Sequence, residues 1–220
     1  MKSFMTMFLL GIFSISFSQV KLEVGEFNKL ETFDKLNVKL VQSDSQYIEV
    51  TGPKAENVEF VNKNKVLKVR MNTKEFLQGE TTQVIVYYKD LQSISANEGS
   101  FVTSDETIDR NDFLINAKEG SFVALDLEVE NLEIKTHTGA NIEVSGNAEN
   151  QSVVSNSGGK YNGETLITST TEVTVNAGGE AKVYALNQVE AKTRAGGNIH
   201  IYGGAKVSQK TIVGGSVHIH

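Results

Sequence analysis

The sequence predicts an all-β chain wound into a parallel β-helix, and three features carry that prediction. A glycine followed by a small residue recurs at near-constant spacing from Gly99 to Gly215, and apolar residues alternate with polar ones on both sides of each of these glycines. The third feature is the balance of 19 Gly against 1 Pro, which supplies tight turns whose backbone N–H groups remain available for pairing. With 220 residues, 39% hydrophobic and 22% charged, the chain can bury one full core and is too rich in Val, Ile and Leu to be disordered.

The first eighteen residues read as an export signal. Lys2 gives a positive start, Phe4 to Phe17 is apolar apart from Ser and Thr, and Ser16-Phe17-Ser18 offers a small-x-small cleavage pattern before Gln19. The apolar stretch is shorter than the roughly 20 residues that span a bilayer, so no membrane insertion is expected after cleavage. The mature chain, 19–220, is predicted to be a single β-helix domain exported to the periplasm, the outer surface or the extracellular space. The sequence contains no Cys, which rules out disulfides and a cysteine-linked lipid and leaves stability to packing and backbone pairing.

Residues 33–92 carry longer alternating runs: Leu36, Val38 and Leu40; Ile48 and Val50; Val66, Leu67 and Val69; Val84, Val86 and Tyr88. Gly52-Pro53 and Asn62-Lys63-Asn64 punctuate them as turns. These strands are expected to begin the coil, partly as hairpins, and to cap its first rung. The polar stretch from Asn72 to Gln83 is expected to be an exposed loop.

Regular rungs are expected over residues 92–220. The glycines Gly99, Gly120, Gly139, Gly158, Gly178, Gly196 and Gly214 are 21, 19, 19, 20, 18 and 18 residues apart. Three residues after each stand Val102, Val123, Ile142, Tyr161, Ala181, Ile199 and Val217; five before each stand Ile94, Ile115, Ile134, Val153, Val173, Ala191 and Gln209. These columns are assigned to the core, with Leu125, Val144, Val183, Ile201 and Ile219 two positions beyond the first set. The corner needs glycine for positive φ and a small residue because stacked corners leave little room for a Cβ substituent. The columns contain too little Leu for a leucine-rich repeat, and no Asp follows Asp126 to serve a calcium-binding β-roll. Seven or more rungs at about 4.8 Å give a rod of roughly 34 Å, predicted to be right-handed because about 98% of parallel crossovers are.

Several segments together resemble the putative auto-transporter adhesin, head GIN domain family: Phe33-Asp34-Lys35-Leu36-Asn37-Val38, Val41-Gln42, a strand ending at Val50, Leu67-Lys68-Val69, Val84-Ile85-Val86-Tyr87-Tyr88 with Leu91, and the Gly-small rungs. The resemblance covers roughly residues 33–217 and implies an exported bacterial β-helix with a role in adhesion. It rests on alternation and glycine and brings no functional residues with it. The chain has no membrane barrel of its own, so auto-transport is unsupported.

The formal net charge of −6, one unit more negative once Lys2 is lost with the signal, disfavours nucleic acid and anionic membrane as partners, since both need a basic face. Outward aromatic pairs, Phe101 with Phe122 and Tyr184 with Tyr202, are candidates to bind a glycan or a protein. Asp105 and Asp126, each six residues after its glycine, are expected to stack beside them and to join the ligand site. His200, His218 and His220 form an outward ladder that is a weak candidate for a transition metal; no metal or cofactor is assigned. The functional expectation is a non-enzymatic binding or surface protein, an adhesin. The alternative is a carbohydrate-active β-helix enzyme, a polysaccharide lyase or hydrolase, although the chain has only Arg70, Arg110 and Arg194 as arginines and no Asp in its last four rungs. Open strand edges at the last rung are expected to allow self-association.

Overall fold

The computed structural model describes residues 20–220; the expected export signal, residues 1–18, lies outside the described residues. In chain order the strands are β1 (Val20–Glu23), β2 (Lys29–Thr32), β3 (Asn37–Gln42), β4 (Tyr47–Thr51), β5 (Val58–Lys63), β6 (Val66–Met71), β7 (Gln83–Tyr88), β8 (Ser93–Ala96), β9 (Phe101–Ser104), β10 (Ile108–Ala117), β11 (Phe122–Thr136), β12 (Asn141–Ser155), β13 (Lys160–Asn176), β14 (Glu180–Arg194), β15 (Asn198–Tyr202), β16 (Lys206–Ile212) and β17 (Ser216–Ile219). They join one continuous sheet, wound as a β-solenoid of about seven turns. Among the described residues no helix is long and apolar enough to cross a membrane.

The glycine columns set the register. Val123 pairs with Val102 on one side and Ile142 on the other, and Ile134 with Ile115 and Val153, all in parallel. Val102, Val123, Ile142, Tyr161, Ala181 and Ile199 are each at most 1% exposed, as a side chain sealed between equivalents above and below must be. The expected core columns give way in the last described rung, where Gln209 is exposed, Val217 is half-buried and Ile219 is 59% exposed.

The corner divides its two demands, positive φ and lack of room, between successive positions. It is a type I′ turn, with positive φ at the glycine and at the residue before it: Glu98 53° and Gly99 72°, Thr138 50° and Gly139 70°. The Ser100 N–H closes it on the Asn97 carbonyl at 3.0 Å, and the Gly99 N–H reaches to the next corner, to the Glu119 carbonyl at 2.9 Å. A Cβ at Gly120, Gly139, Gly158, Gly178 or Gly196 would have open space around it, so these glycines answer to φ alone. The following residue answers to space: it is buried from Ser100 to Gly197, and a Cβ at Gly159 or Gly197 would strike Thr136 or Val175.

One corner of this column has no glycine. Asp34 and Lys35, both at φ 59°, turn the chain between β2 and β3, and the Lys35 N–H donates to the Glu98 carbonyl at 2.9 Å. Two consecutive non-glycine residues at positive φ are strained. The buried Asp34 carboxylate offsets the cost by accepting from the Met71 N–H (3.1 Å) and the Leu77 N–H (3.2 Å), with Arg70 Nε at 3.7 Å. This rung lies inside the stack, with β2 between β6 and β8 and β3 between β7 and β9. The expected hairpin cap is present beyond it: β5 runs antiparallel to β6, and β4 lies antiparallel between β7 and β1.

Gly158→Ala should therefore cost about 1 kcal/mol, the conformational penalty alone. Gly146→Ala should lower Tm distinctly more, since φ there is 103° and the new Cβ would collide with the Leu127 carbonyl. Thermal melts followed by circular dichroism compare the two, and equal shifts would contradict this division of roles.

Candidate functional site

Each rung has a second bend that no glycine marks. Along β11 the in-out alternation slips where two successive residues face outward, at Glu130-Asn131; the same slip occurs at Glu149-Asn150 in β12, and in β14 three successive residues, Leu186, Asn187 and Gln188, are exposed. In-register stacking aligns these bends, so Asp112, Asn131, Asn150, Thr170 and Gln188 form one column across five rungs. Asn131 Nδ2 donates to Asp112 Oδ1 (2.9 Å), Asn150 Nδ2 to Asn131 Oδ1 (3.0 Å) and Thr170 Oγ1 to Asn150 Oδ1 (2.7 Å). A second column, Leu114, Glu133, Ser152, Glu172 and Glu190, runs beside it.

The two columns line an open groove of ≈ 1410 Å³ that follows the bend along the coil and meets Gln42, Asp90, Gln92, Asp109 and Arg110. Its floor is made by Phe113, Leu132, Gln151 and Thr171, all nearly buried. Beneath the floor a polar chain is closed off from water. Gln151 Nε2 donates to the Tyr161 hydroxyl, Thr171 Oγ1 donates to Gln151 Oε1 at 3.3 Å, and Thr168 Oγ1 donates to the Tyr184 carbonyl at 2.7 Å. Burial pushes the Tyr161 phenol far up, so it stays neutral and holds the Gln151 amide in place. Gly163 makes room for that ring, since a Cβ there would strike the Tyr161 hydroxyl.

Carboxylates dominate the groove: Asp90, Asp109, Asp112, Glu133, Glu172 and Glu190 against the single cation Arg110. The Arg110 guanidinium is held by Asp90 (3.2 Å) and the Lys89 carbonyl (3.2 Å). Glu133 has Lys135 at 2.6 Å and Glu190 has Lys192 at 3.9 Å, both exposed pairs.

None of the aromatic, Asp or His candidates singled out in the sequence lines this groove. Phe101 and Phe122 do stack, with ring centroids 4.8 Å apart and planes at 7°. Phe101 borders a shallower hollow of ≈ 380 Å³ with Asn37, Lys39, Gln83 and Thr103. The expected Asp105–Asp126 ladder is replaced, because β9 ends at Ser104. Asp105 pairs with Lys39, while Asp126 accepts from Thr107 Oγ1 (2.6 Å) and Ser145 Oγ (2.7 Å). Tyr184 and Tyr202 are register partners, and the Tyr202 ring stacks on His220 at 4.5 Å. His200 stacks on His218 (4.8 Å) and His220 (5.4 Å), and its Nδ1 lies 3.1 Å from His220 Nε2. Among the described residues no group of three or more His, Cys, Asp or Glu converges to hold a metal ion. The groove leaves no mark in the glycine repeat: its column sits eight residues before each glycine, at polar positions that belong to neither the core nor the aromatic columns.

Residues 26–205 match the family described as "Putative auto-transporter adhesin, head GIN domain". The chain belongs to that family. The head GIN match contains the whole groove and the Phe101–Phe122 pair and stops before β16. Solved structures share the fold. A putative adhesin from Bacteroides fragilis superposes with TM-score 0.82 at 18% identity, covering 94% of this chain and 97% of that one. One from Parabacteroides merdae gives 0.75 at 20%, with the same coverage. A putative lipid binding protein from Parabacteroides distasonis gives 0.71 at 17%, again covering 94% and 97%. No curated protein matches this head GIN chain in sequence.

Burial, reinforced by the neighbouring His218, holds His200 below the ordinary imidazole range. A histidine depressed in the fold contributes stability above its unfolded pKa and loses it as the pH falls toward its folded value. Acidification below about pH 6.5 should therefore lower the amide protection factors of β15 and β17, taken against the intrinsic exchange rate at each pH, while leaving those of β11 and β12 unchanged. His200→Gln should remove that pH dependence; protection factors in the last rungs that ignore pH in the parent protein would contradict it.

Proposed function

We propose that this protein is an exported, non-enzymatic adhesin that holds an extended glycan in the groove along its coil. The observation that carries this reading is the five-rung polar column from Asp112 to Gln188. Its amides are fixed by hydrogen bonds to one another, yet each Asn keeps a second N–H to offer outward. Such a surface is preorganised for the paired hydroxyls of a sugar, and its repeat of about 4.8 Å is close to the advance of one pyranose ring in an extended chain. A partner protein would gain most from exposed apolar anchors, whereas the groove walls are polar and the apolar side chains of its floor, Phe113 and Leu132, are nearly buried.

Export is supported by the signal pattern of residues 1–18 and by the adhesin descriptions of the family and of the solved relatives. The absence of turnover is supported by the state of the groove's charges. Its one cation is held by Asp90, and its carboxylates are exposed or half-exposed to solvent, without the closed, water-excluded pocket in which acid catalysis is usually staged.

Glycan-array screening followed by calorimetry tests the reading. Asn150→Trp, which fills the middle of the groove from an exposed position, should weaken the bound glycan at least tenfold, about 1.4 kcal/mol, at unchanged Tm, while Phe101→Ala leaves affinity as it was. Release of reducing or unsaturated ends from any bound polysaccharide would overturn the non-enzymatic assignment.

A further inference from the structure

We infer that the groove selects glycans carrying free, protonated amino groups over neutral and acidic ones. This rests on the reading of the groove as a glycan site; the amide column and the shape define the site, and the charge of its walls names the ligand class. Six carboxylates face one arginine along the groove. Its terminal nitrogens are held by Asp90 and by the Lys89 carbonyl and its Nε, though without a partner, is buried, so it offers little to an incoming carboxylate. Lys135 and Lys192 beside Glu133 and Glu190 are exposed partners, and such pairs are weak and readily exchanged.

The carboxylates are also placed where a cation is most useful. Glu172 and Glu190 are register partners one rung apart, and like charges stacked at about 4.8 Å repel. Asp109 stands in register with Glu128, a second stack of the same kind at the edge of the groove. An ammonium group bound between two such carboxylates relieves their repulsion and forms charge-assisted hydrogen bonds to them. A uronic-acid chain would add charge of the same sign along the whole length of the groove, which costs affinity and slows association. A lysine-rich peptide supplies ammonium groups but lacks the adjacent hydroxyls that the Asn131, Asn150 and Thr170 column is arranged to meet.

Calorimetry on the full mature chain at pH 6 and low salt, with glucosamine hexamer, N-acetylglucosamine hexamer, galacturonate hexamer and hexalysine, tests the inference. The glucosamine hexamer should bind at least tenfold more tightly than its acetylated form, with an affinity that falls as salt rises. The double variant Glu172→Gln, Glu190→Gln should bring the two within about twofold. Equal binding of the two hexamers, or tighter binding of galacturonate, would overturn the charge selection and leave the glycan groove standing. Hexalysine binding as tightly as glucosamine hexamer would overturn the sugar requirement. Binding that survives Asn150→Trp lies outside the groove and would overturn the underlying reading, as would failure of every glycan to bind.

Discussion

The structure depends on one constraint: each rung is hydrogen-bonded to the next as parallel strands in register, so every position must tolerate a copy of its own environment directly above and below. That constraint explains why the glycine spacing can drift while the columns do not. The rung between Gly158 and Gly178 is longer than its neighbours, and the surplus is extruded between Gly163 and Ile167, where the pairing to β14 shifts register. A smaller shift lies between Glu143 and Ser145. On either side of these bulges the corner column and the bend column stay aligned. Most of the misfit is absorbed between the corner and the bend, and a further shift between Thr168 and Thr170 restores the register at the groove column.

The first rung shows how far the constraint reaches. The corner at Asp34-Lys35 lacks the residue that makes positive φ free of strain, yet it aligns with the glycine corners because its carbonyl and N–H must meet theirs. The Gly79 N–H donates to the Asp34 carbonyl (2.9 Å) and the Lys35 N–H to that of Glu98 (2.9 Å). What a glycine supplies elsewhere by backbone freedom, this corner obtains from a buried carboxylate bonded to two backbone N–H groups. The antiparallel strands outside it end the stack on one side. The opposite end has no such cover, which is why Val213 and Ile219 are exposed there.

These differences determine what could be read from the chain. The rungs from Gly99 onward were legible because a glycine anchors each of them and the inward columns on both sides are aliphatic. The second bend was not, because a gentle turn imposes no residue type; only a slip in alternation at pairs such as Glu149-Asn150 marks it. The placement of residues 29–42 between 66–88 and 93–104 was also illegible, since it depends on contacts distant in sequence and both flanking segments show the same alternation. Among the candidate sites, Phe101 with Phe122 and the histidine ladder followed directly from counting residues past the glycine. The Asp105–Asp126 ladder failed because counting presumes that the strand continues, and β9 stops one residue short.

The same constraint gives the outward columns chemical meaning. Self-stacking favours groups that can bond to their own copies, so amides, hydroxyls and flat rings recur. Asn176 Nδ2 donates to Asn156 Oδ1 at 2.7 Å, Phe101 lies on Phe122, and Thr170 continues the column of Asn131 and Asn150. Carboxylates cannot bond to one another when ionised, and the sheet usually separates them, as Ser152 separates Glu133 from Glu172. Glu172 on Glu190 and Asp109 on Glu128 break that habit at the groove, while Lys192 on Lys210 breaks it in the terminal rung. A stack that gains stability from alternation gives some up where it places like charges together. At the groove those charges border the open polar column from Asp112 to Gln188, and on the proposed reading the repulsion is stored where a bound cation can release it.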